Sequence, residues 1–535
     1  MKNRSLFVRG SGNQPFPEAL SEASLVQAAS TQDKPLYVSG AGRRIICGVL
    51  LALSSLGLSS CHSAAYYYYK FPEYNYAGRP IPPSKLAERV MIGVTANGSS
   101  GSLQIVDALR DLRSNVEDTI PSFSISGYSS GYPGTIMNFP AELRGYVYSN
   151  SDGSLTNINY STEASAGSVG TFESGSSSVA VPPTFAHYYG AEEAAGILEI
   201  IDNTSGQSYG LNLPNVFKVA VNAGDTVALA MVRNSSTLYR VFKLSQNQYP
   251  TQQAAIAATG SADCEPSLLP VYCVVGVPGT YDEPAGVYFS LDGTTAYVLN
   301  CGPECGGKTA SVTLLEQGPL NNNVIPASPV QPNPMTANIP VPGGVTAALS
   351  DGTTLYLAGQ QLQPDGLFAG FLTTVTQASN TITGKYSISD GSHSKLLFAD
   401  NNTLWIGSQY CATGEREKQF ASGVTTQAAN YNCLTKVVLG GSTITPQIIP
   451  AVNQAGTGVT AVPVGYPNQN DDQYYYGSLT GICWVQGFNK VYTAYGGQVH
   501  IFSTVDGSEI DNQYVIIQGT ALDVAYLDAQ SDAAN

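Results

Sequence analysis

From about residue 90 onward the apolar and polar positions alternate in short runs. These runs are rich in Val, Tyr, Ile and Thr and are separated by Gly, Asp and Asn. That grammar predicts pleated, half-buried strands joined by tight turns. No stretch carries the apolar period of a long amphipathic helix. Residues 285–300, AGVYFSLDGTTAYVLN, show the unit most clearly. They predict a strand, a tight turn at Asp292 and Gly293, and a second strand, the Gly supplying the positive φ that a hairpin corner needs. Residues 311–315, SVTLL, add a third strand. The grammar returns in 216–232 (VFKVAVNAGDTVALAMV), 345–359 (VTAALSDGTTLYLAG), 395–407 (KLLFADNNTLWIG) and 481–495 (GICWVQGFNKVYTAY). The last is followed by a strand over 499–504. Weaker copies lie in 134–160 and 182–211.

A repeated unit of four short antiparallel strands that hides its faces against its neighbours builds a β-propeller. The pattern therefore predicts an all-β chain, a single propeller of seven or eight four-stranded blades over 89–530. The count is eight if 182–211 is a whole blade and seven if it is not. Residues 89–94 and 102–107 look like strands without an inner partner, while 520–527, TALDVAYL, looks like an inner strand without a blade. Pairing them closes the ring and leaves no open edge. An array of two-sheet sandwiches is the competing architecture.

Residues 290–300, SLDGTTAYVLN, resemble the YVTN family of β-propeller repeats, whose pattern is roughly Ser-Pro-Asp-Gly-x-x-x-Tyr-Val-x-Asn. Leu291 stands where Pro is usual and Leu299 where Thr is usual. The other units match only the strand–turn–strand logic.

The N-terminal part carries a different signal. Residues 43–61, RRIICGVLLALSSLGLSSC, resemble a bacterial lipoprotein signal: a basic pair, an apolar run over 45–58, and a Leu-Ser-Ser-Cys lipobox. The run is shorter than the roughly 20 residues a membrane-spanning helix needs. The resemblance implies that residues 1–60 are a leader, that Cys61 becomes the first mature residue, and that it carries acyl chains such as palmitate. It also implies a cell-envelope protein held to a membrane by lipid. His62 replaces the Asp of the enteric inner-membrane retention signal, which points to the outer membrane. Within the leader, 38–60 form the signal peptide and 1–37 read as a gene-start error, with Val38 as the start. The twin arginine raises Tat export, but the residues after it match that signal poorly. Residues 61–88, rich in Tyr and Pro, read as a tether, with Tyr66, Tyr67, Tyr68 and Tyr69 as a sharper binding alternative. Residues 531–535 are a tail.

Of 24 Lys and Arg and 39 Asp and Glu, six and three precede residue 61, which leaves the mature part with a formal charge near −18. Such a surface repels phosphate backbones and excludes nucleic acid as a partner. Cys47 and Cys61 belong to the leader and the lipid site. Of the other seven cysteines, Cys264 with Cys273, Cys301 with Cys305, and Cys411 with Cys433 predict three local disulfides in an oxidising compartment, leaving Cys483 as a buried thiol. Zinc competes only weakly, since His187, His393 and His500 are scattered.

Meander topology places the first-to-second-strand turns on one face. The second-to-third loops and the blade connections lie on the other. The short Asp-Gly and Asn-Asn turns belong to the first. Residues 301–308, 409–433, 245–280 and 452–476, the last ending in the acidic-aromatic DDQYYY, are expected on the second, so that all three disulfides rim it. Long loops on a rigid scaffold carry function. The expected function is a lipid-anchored binding or scaffold module that holds a protein, peptide or glycan on that face, with no cofactor, metal or catalytic residue assigned. The competing function is a lactonase-type enzyme with a divalent metal in the central channel. Asp225, Asp282, Glu283 and Asp292 are available carboxylates, but turn chemistry explains the Asp-Gly ones. Trp405 and Trp484 lie in strand patterns and read as core. No nucleophile elbow, phosphate loop, HExxH or calcium loop is present.

Overall fold

A computed structural model describes residues 76–112, 123–246, 248–326, 331–362, 368–411, 433–440, 444–449, 478–510, 515 and 517–531. The leader with Cys47, the lipidation candidate Cys61, Tyr66 to Tyr69 and the acidic-aromatic 471–476 lie outside these residues, as do most of loop 409–433 and the last four residues. The chain is all-β and forms a ring of eight sheets, numbered here as blades 1 to 8 in chain order. Their innermost strands are Thr520–Tyr526, Pro133–Phe139, Ser178–Ala180, Val216–Val221, Pro284–Phe289, Gly344–Ser350, Ser392–Ala399 and Leu479–Val485. Blades 2, 3, 5, 6 and 7 have four strands. Among the described residues, blades 1 and 8 have three and blade 4 has five. The count of eight is settled by blade 3, where Ser178–Ala180, His187–Glu192, Ile197–Asp202 and Gln207–Asn212 form one complete sheet.

Burial follows the radius. Second strands are buried on both faces, as in Ala228–Val232 and Thr403–Gln409. Fourth strands such as Thr381–Ser387 alternate between exposed and half-buried positions. The two sides of a middle strand feed different interfaces. Val90, Ile92 and Val94 pack with Tyr492 and Ile501 of blade 8, whereas Met91 packs with Val147 and Ile158 of blade 2. One apolar cluster fills each of the eight blade-to-blade seams, and a ninth lies within the outer part of blade 4. Period-2 alternation with both sides apolar is what such stacking requires. Trp405 is fully buried in the seam between blades 7 and 8, and Trp484 packs against the same cluster.

The C-terminal strand closes the ring. Thr520–Tyr526 pairs antiparallel with Arg89–Thr95, through a bulge at Gly93 and Val94, and Leu527 N–H donates to Arg89 O at 2.9 Å. Arg89 Nη2 and Nε reach the Asp528 carboxylate at 2.7 and 3.0 Å, and Nη1 reaches Glu163 at 3.0 Å and Tyr160 O at 2.6 Å. Burial alone lowers the Arg89 pKa, but hydrogen bonding and charge from Asp528 and Glu163 outweigh it and raise the value. Within the expected tether, Arg79 pairs with Asp528, and Ser84 is hydrogen-bonded to Glu163. Arg79 and Ser84 are therefore bound to the ring rather than free of it.

First strands run from one face of the ring to the other, so the turns after them share a face with the ends of the third strands. That face is stapled. Besides the Arg89 cluster it holds Lys490 on Asp111 at 2.6 Å and His187 against Asp225. The opposite face carries the second-to-third loops, among them Cys301–Cys305 and Cys411–Cys433. Cys264–Cys273 corrects the expectation that all three disulfides rim that face. Residues 245–270 interrupt blade 4 between its third strand, Leu238–Leu244, and its fourth, Val271–Val277. The insertion holds a helix, Gln252–Thr259, capped by the Thr251 side chain accepting from Ala254 N–H. It then folds back as Asp263–Glu265, a fifth strand on the rim, where Cys264 lies opposite Cys273. The stretch is therefore not a blade connection, and its disulfide staples an outer strand pair.

Candidate functional site

The beginnings of the first strands surround the mouth of the central channel on the loop-rich face. Here Phe217, Lys218, Glu283, Ala285, Thr346, Ser392, His393 and Ser394, with Arg233 from a second-to-third loop, enclose a cavity of about 320 Å³. Cys305 of the clipped loop lies at its edge. Lys218 reaches across from blade 4 to blade 5, where its ammonium donates to Ala285 O at 3.0 Å. Gly286 makes that approach feasible, since a Cβ there would stand 3.3 Å from Lys218 Nζ. Desolvation by the surrounding protein lowers the Lys218 pKa from its ordinary value. No carboxylate lies within ion-pair distance of this ammonium among the described residues. Arg233 pairs instead with Glu193 and covers the Phe217 ring at 4.3 Å.

His393 is buried at the same mouth. Its Nε2 lies 2.8 Å from Ser389 O, a pure acceptor, so Nε2 carries the proton and Nδ1 keeps a lone pair. That Nδ1 has no hydrogen-bond partner. Burial pulls the His393 pKa down to about 4, so the ring is neutral near neutral pH. Ser392 and Ser394 are exposed in the channel.

A second cavity of about 430 Å³ lies deeper. Its walls are mainly apolar, including Ile136, Phe139, Leu397 and Ile482, but Lys395 and Asp523 meet in it at 3.3 Å. Asp523 also accepts the Ile136 and Val524 N–H groups at 2.9 and 3.0 Å. Gly481 permits its approach, because a Cβ there would stand 2.4 Å from Asp523 Oδ1. Cys483 borders the cavity as the buried free thiol, its pKa pushed well up by desolvation. Among the described residues the channel thus holds two lysines, one neutralised by a carboxylate and one not.

Among the carboxylates singled out in the sequence, Glu283 lines the mouth and the others do not converge there. Asp225 accepts from Tyr189 OH at 2.8 Å and contacts His187 Nδ1, whose Nε2 lies 2.9 Å from Tyr272 OH. This chain bridges blades 3 and 4 on the stapled face. Asp282 accepts the Lys308 and Thr309 N–H groups at 2.7 and 2.6 Å, holding the Cys301–Cys305 loop. Asp292 accepts from Ser290 and Thr294 in its turn, and those hydrogen bonds hold its carboxyl below the ordinary range. Among the described residues no three His, Cys, Asp or Glu side chains gather to hold a metal ion. His187, His393 and His500 lie on three different blades. Lys218 and Lys395 were not singled out in the sequence. Their signal is a lone cation inside an apolar strand (VFKVAV, SHSKLLFA) of a chain with only 12% charged residues.

No family model matches the chain, and no curated protein matches it. Solved structures do. Hydrazine synthase of Kuenenia stuttgartiensis is 13% identical, over 72% of this chain and 99% of that one, with a TM-score of 0.42. A proposed 6-phosphogluconolactonase from Bacteroides fragilis is 10% identical, over 82% and 97%, at 0.39. The β-propeller domain of Cps50 (Swd1) from Myceliophteria thermophila is 10% identical, over 70% and 98%, at 0.41. Similarity at this level transfers no activity or ligand to this chain.

Proposed function

We propose that this is a cell-envelope lipoprotein whose propeller is a binding module, taking its ligand at the channel mouth on the loop-rich face. The leader-like residues 43–61 support export and acylation at Cys61, with the outer membrane as destination. The YVTN-like residues 290–300 form one of the blade hairpins. One observation carries the binding role: a mouth of about 320 Å³, bordered by Cys305 of the clipped loop, that holds an ammonium with no acidic partner among the described residues. Concave sites of roughly this size, with a few placed polar groups, are the usual small-ligand sites of folded proteins. The chain enters the ring at Arg89 on the stapled face.

Two experiments test the reading. Metabolic labelling with an alkyne palmitate should tag the protein, and Cys61→Ala should abolish the tag and move the protein to the soluble fraction; an untagged wild-type protein refutes the anchor. A thermal-shift screen of peptides, glycans and small metabolites against the full chain should give hits that vanish in Ser394→Trp, which plugs the mouth at an exposed channel position. If every hit survives that substitution, the mouth is not the binding site.

A further inference from the structure

We propose that the channel mouth binds a small anion, whose carboxylate or phosphate oxygens take the free donors of the Lys218 ammonium. The inference rests on the reading that the mouth takes a ligand, and it names that ligand's chemistry.

An ammonium has three donors, and Lys218 spends one on Ala285 O. Removing a charge from water is costly unless an opposite charge or hydrogen bonds compensate. The other channel lysine meets this condition within the fold, through Asp523. Lys218 does not, yet it stands in a strand otherwise made of Val, Phe and Ala. Its neighbours suit an anion. His393 is uncharged, and Ser392 and Ser394 present hydroxyls to the open channel. Glu283 also lines the mouth, and its carboxylate opposes negative charge. The site therefore fits one anionic group on a small molecule rather than a polyanion. The strongly acidic chain around it means that an anion arriving here is held by local geometry and not by the long-range field.

The test is calorimetric titration of the full chain in detergent with succinate, inorganic phosphate and neutral glucose. At least one anion should bind saturably, and comparing succinate with phosphate shows whether the carboxylate or the phosphate is preferred. Lys218→Met should weaken that binding roughly tenfold or more, because a charge-assisted contact is lost. Lys385→Met, on the outer strand of blade 6, should leave it unchanged. An unaltered circular dichroism spectrum and a thermal midpoint no lower than wild type show that Lys218→Met is folded, as expected when a poorly compensated buried charge is removed. Equal anion affinity in Lys218→Met overturns the proposal. So does the absence of saturable binding by either anion up to about 10 mM, beyond the weak end of specific recognition. A neutral ligand lost in Ser394→Trp but kept in Lys218→Met overturns the anion and leaves the mouth as the site. Screen hits that all survive Ser394→Trp overturn the mouth itself.

Discussion

Replacing Asp528 with Asn tests the ring closure directly. Asp528 takes two hydrogen bonds from the Arg89 side chain and one from the Arg89 backbone N–H at 2.7 Å, and both side chains are nearly inaccessible, at 3% and 2% exposure. The substitution preserves shape but leaves the guanidinium with only Glu163 as counter-charge. Removing one partner of a buried pair costs about 3–5 kcal/mol, because the remaining charge is uncompensated. Unfolding entropy of about 2.1 cal/mol/K per residue gives a ring of this size a slope near 1 kcal/mol per degree. The thermal midpoint should therefore fall by about 3–5 °C, read by calorimetry at pH 7. Glu163→Gln combined with Asp528→Asn should depart from additivity, since both changes act on one guanidinium. A fall below about 1 °C for the single variant would mean that water reaches Arg89 and that the staple is not what holds the two chain ends together.

Acid should destabilise the ring through His393. Its pKa falls from 6.5 unfolded to about 4 folded, so the unfolded chain binds the extra proton and stability present above pH 6.5 is lost on the way down to 4. Between pH 7.5 and 5 this amounts to about 2 kcal/mol. His393→Gln should flatten that part of the pH profile, and an identical profile refutes the assignment. Replacing Cys264 and Cys273 together with Ala opens a loop spanning nine positions and should cost about 2–3 kcal/mol, with faster hydrogen exchange in Val271–Val277. Unchanged exchange there would show that the outer pair stands without its staple. Asp225→Ala strips the carboxylate from His187 and Tyr189 and should cost about 2–3 kcal/mol, seen as a lower denaturation midpoint. No change would show that water replaces the carboxylate.

The architecture was legible because its punctuation is chemical. Asp292 and Gly293, Asp351 and Gly352, and Asn401 and Asn402 each sit between a first and a second strand, at positive φ where the corner needs it. The closing strand was legible as an apolar run without a hairpin of its own. Blade 3 was harder to count, because its inner strand has only three residues and Pro182 and Pro183 follow it, ending the ladder. The fourth strand of blade 4 was absorbed into a loop because an insertion with its own helix separates it from the third strand. The staples of the turn face were invisible: Arg89 and Asp528 are 439 positions apart, and nothing local to either announces the other. Lys218 and Lys395 had a signal, but a cation in a strand acquires meaning only when the strand is known to border a channel.

The pairing of Arg89–Thr95 with Thr520–Tyr526 has a consequence for biosynthesis. The residues that finish the first sheet are made more than 400 positions after the strand they pair with. Until they emerge, the seven preceding blades form an open arc with the edge of its earliest strand unpaired. A nascent or truncated chain that stops short of Thr520–Tyr526 therefore presents a sticky β-edge to every other such chain nearby. Pairing of this late strand doubles as a checkpoint, separating usable product from material that chaperones and proteases must clear.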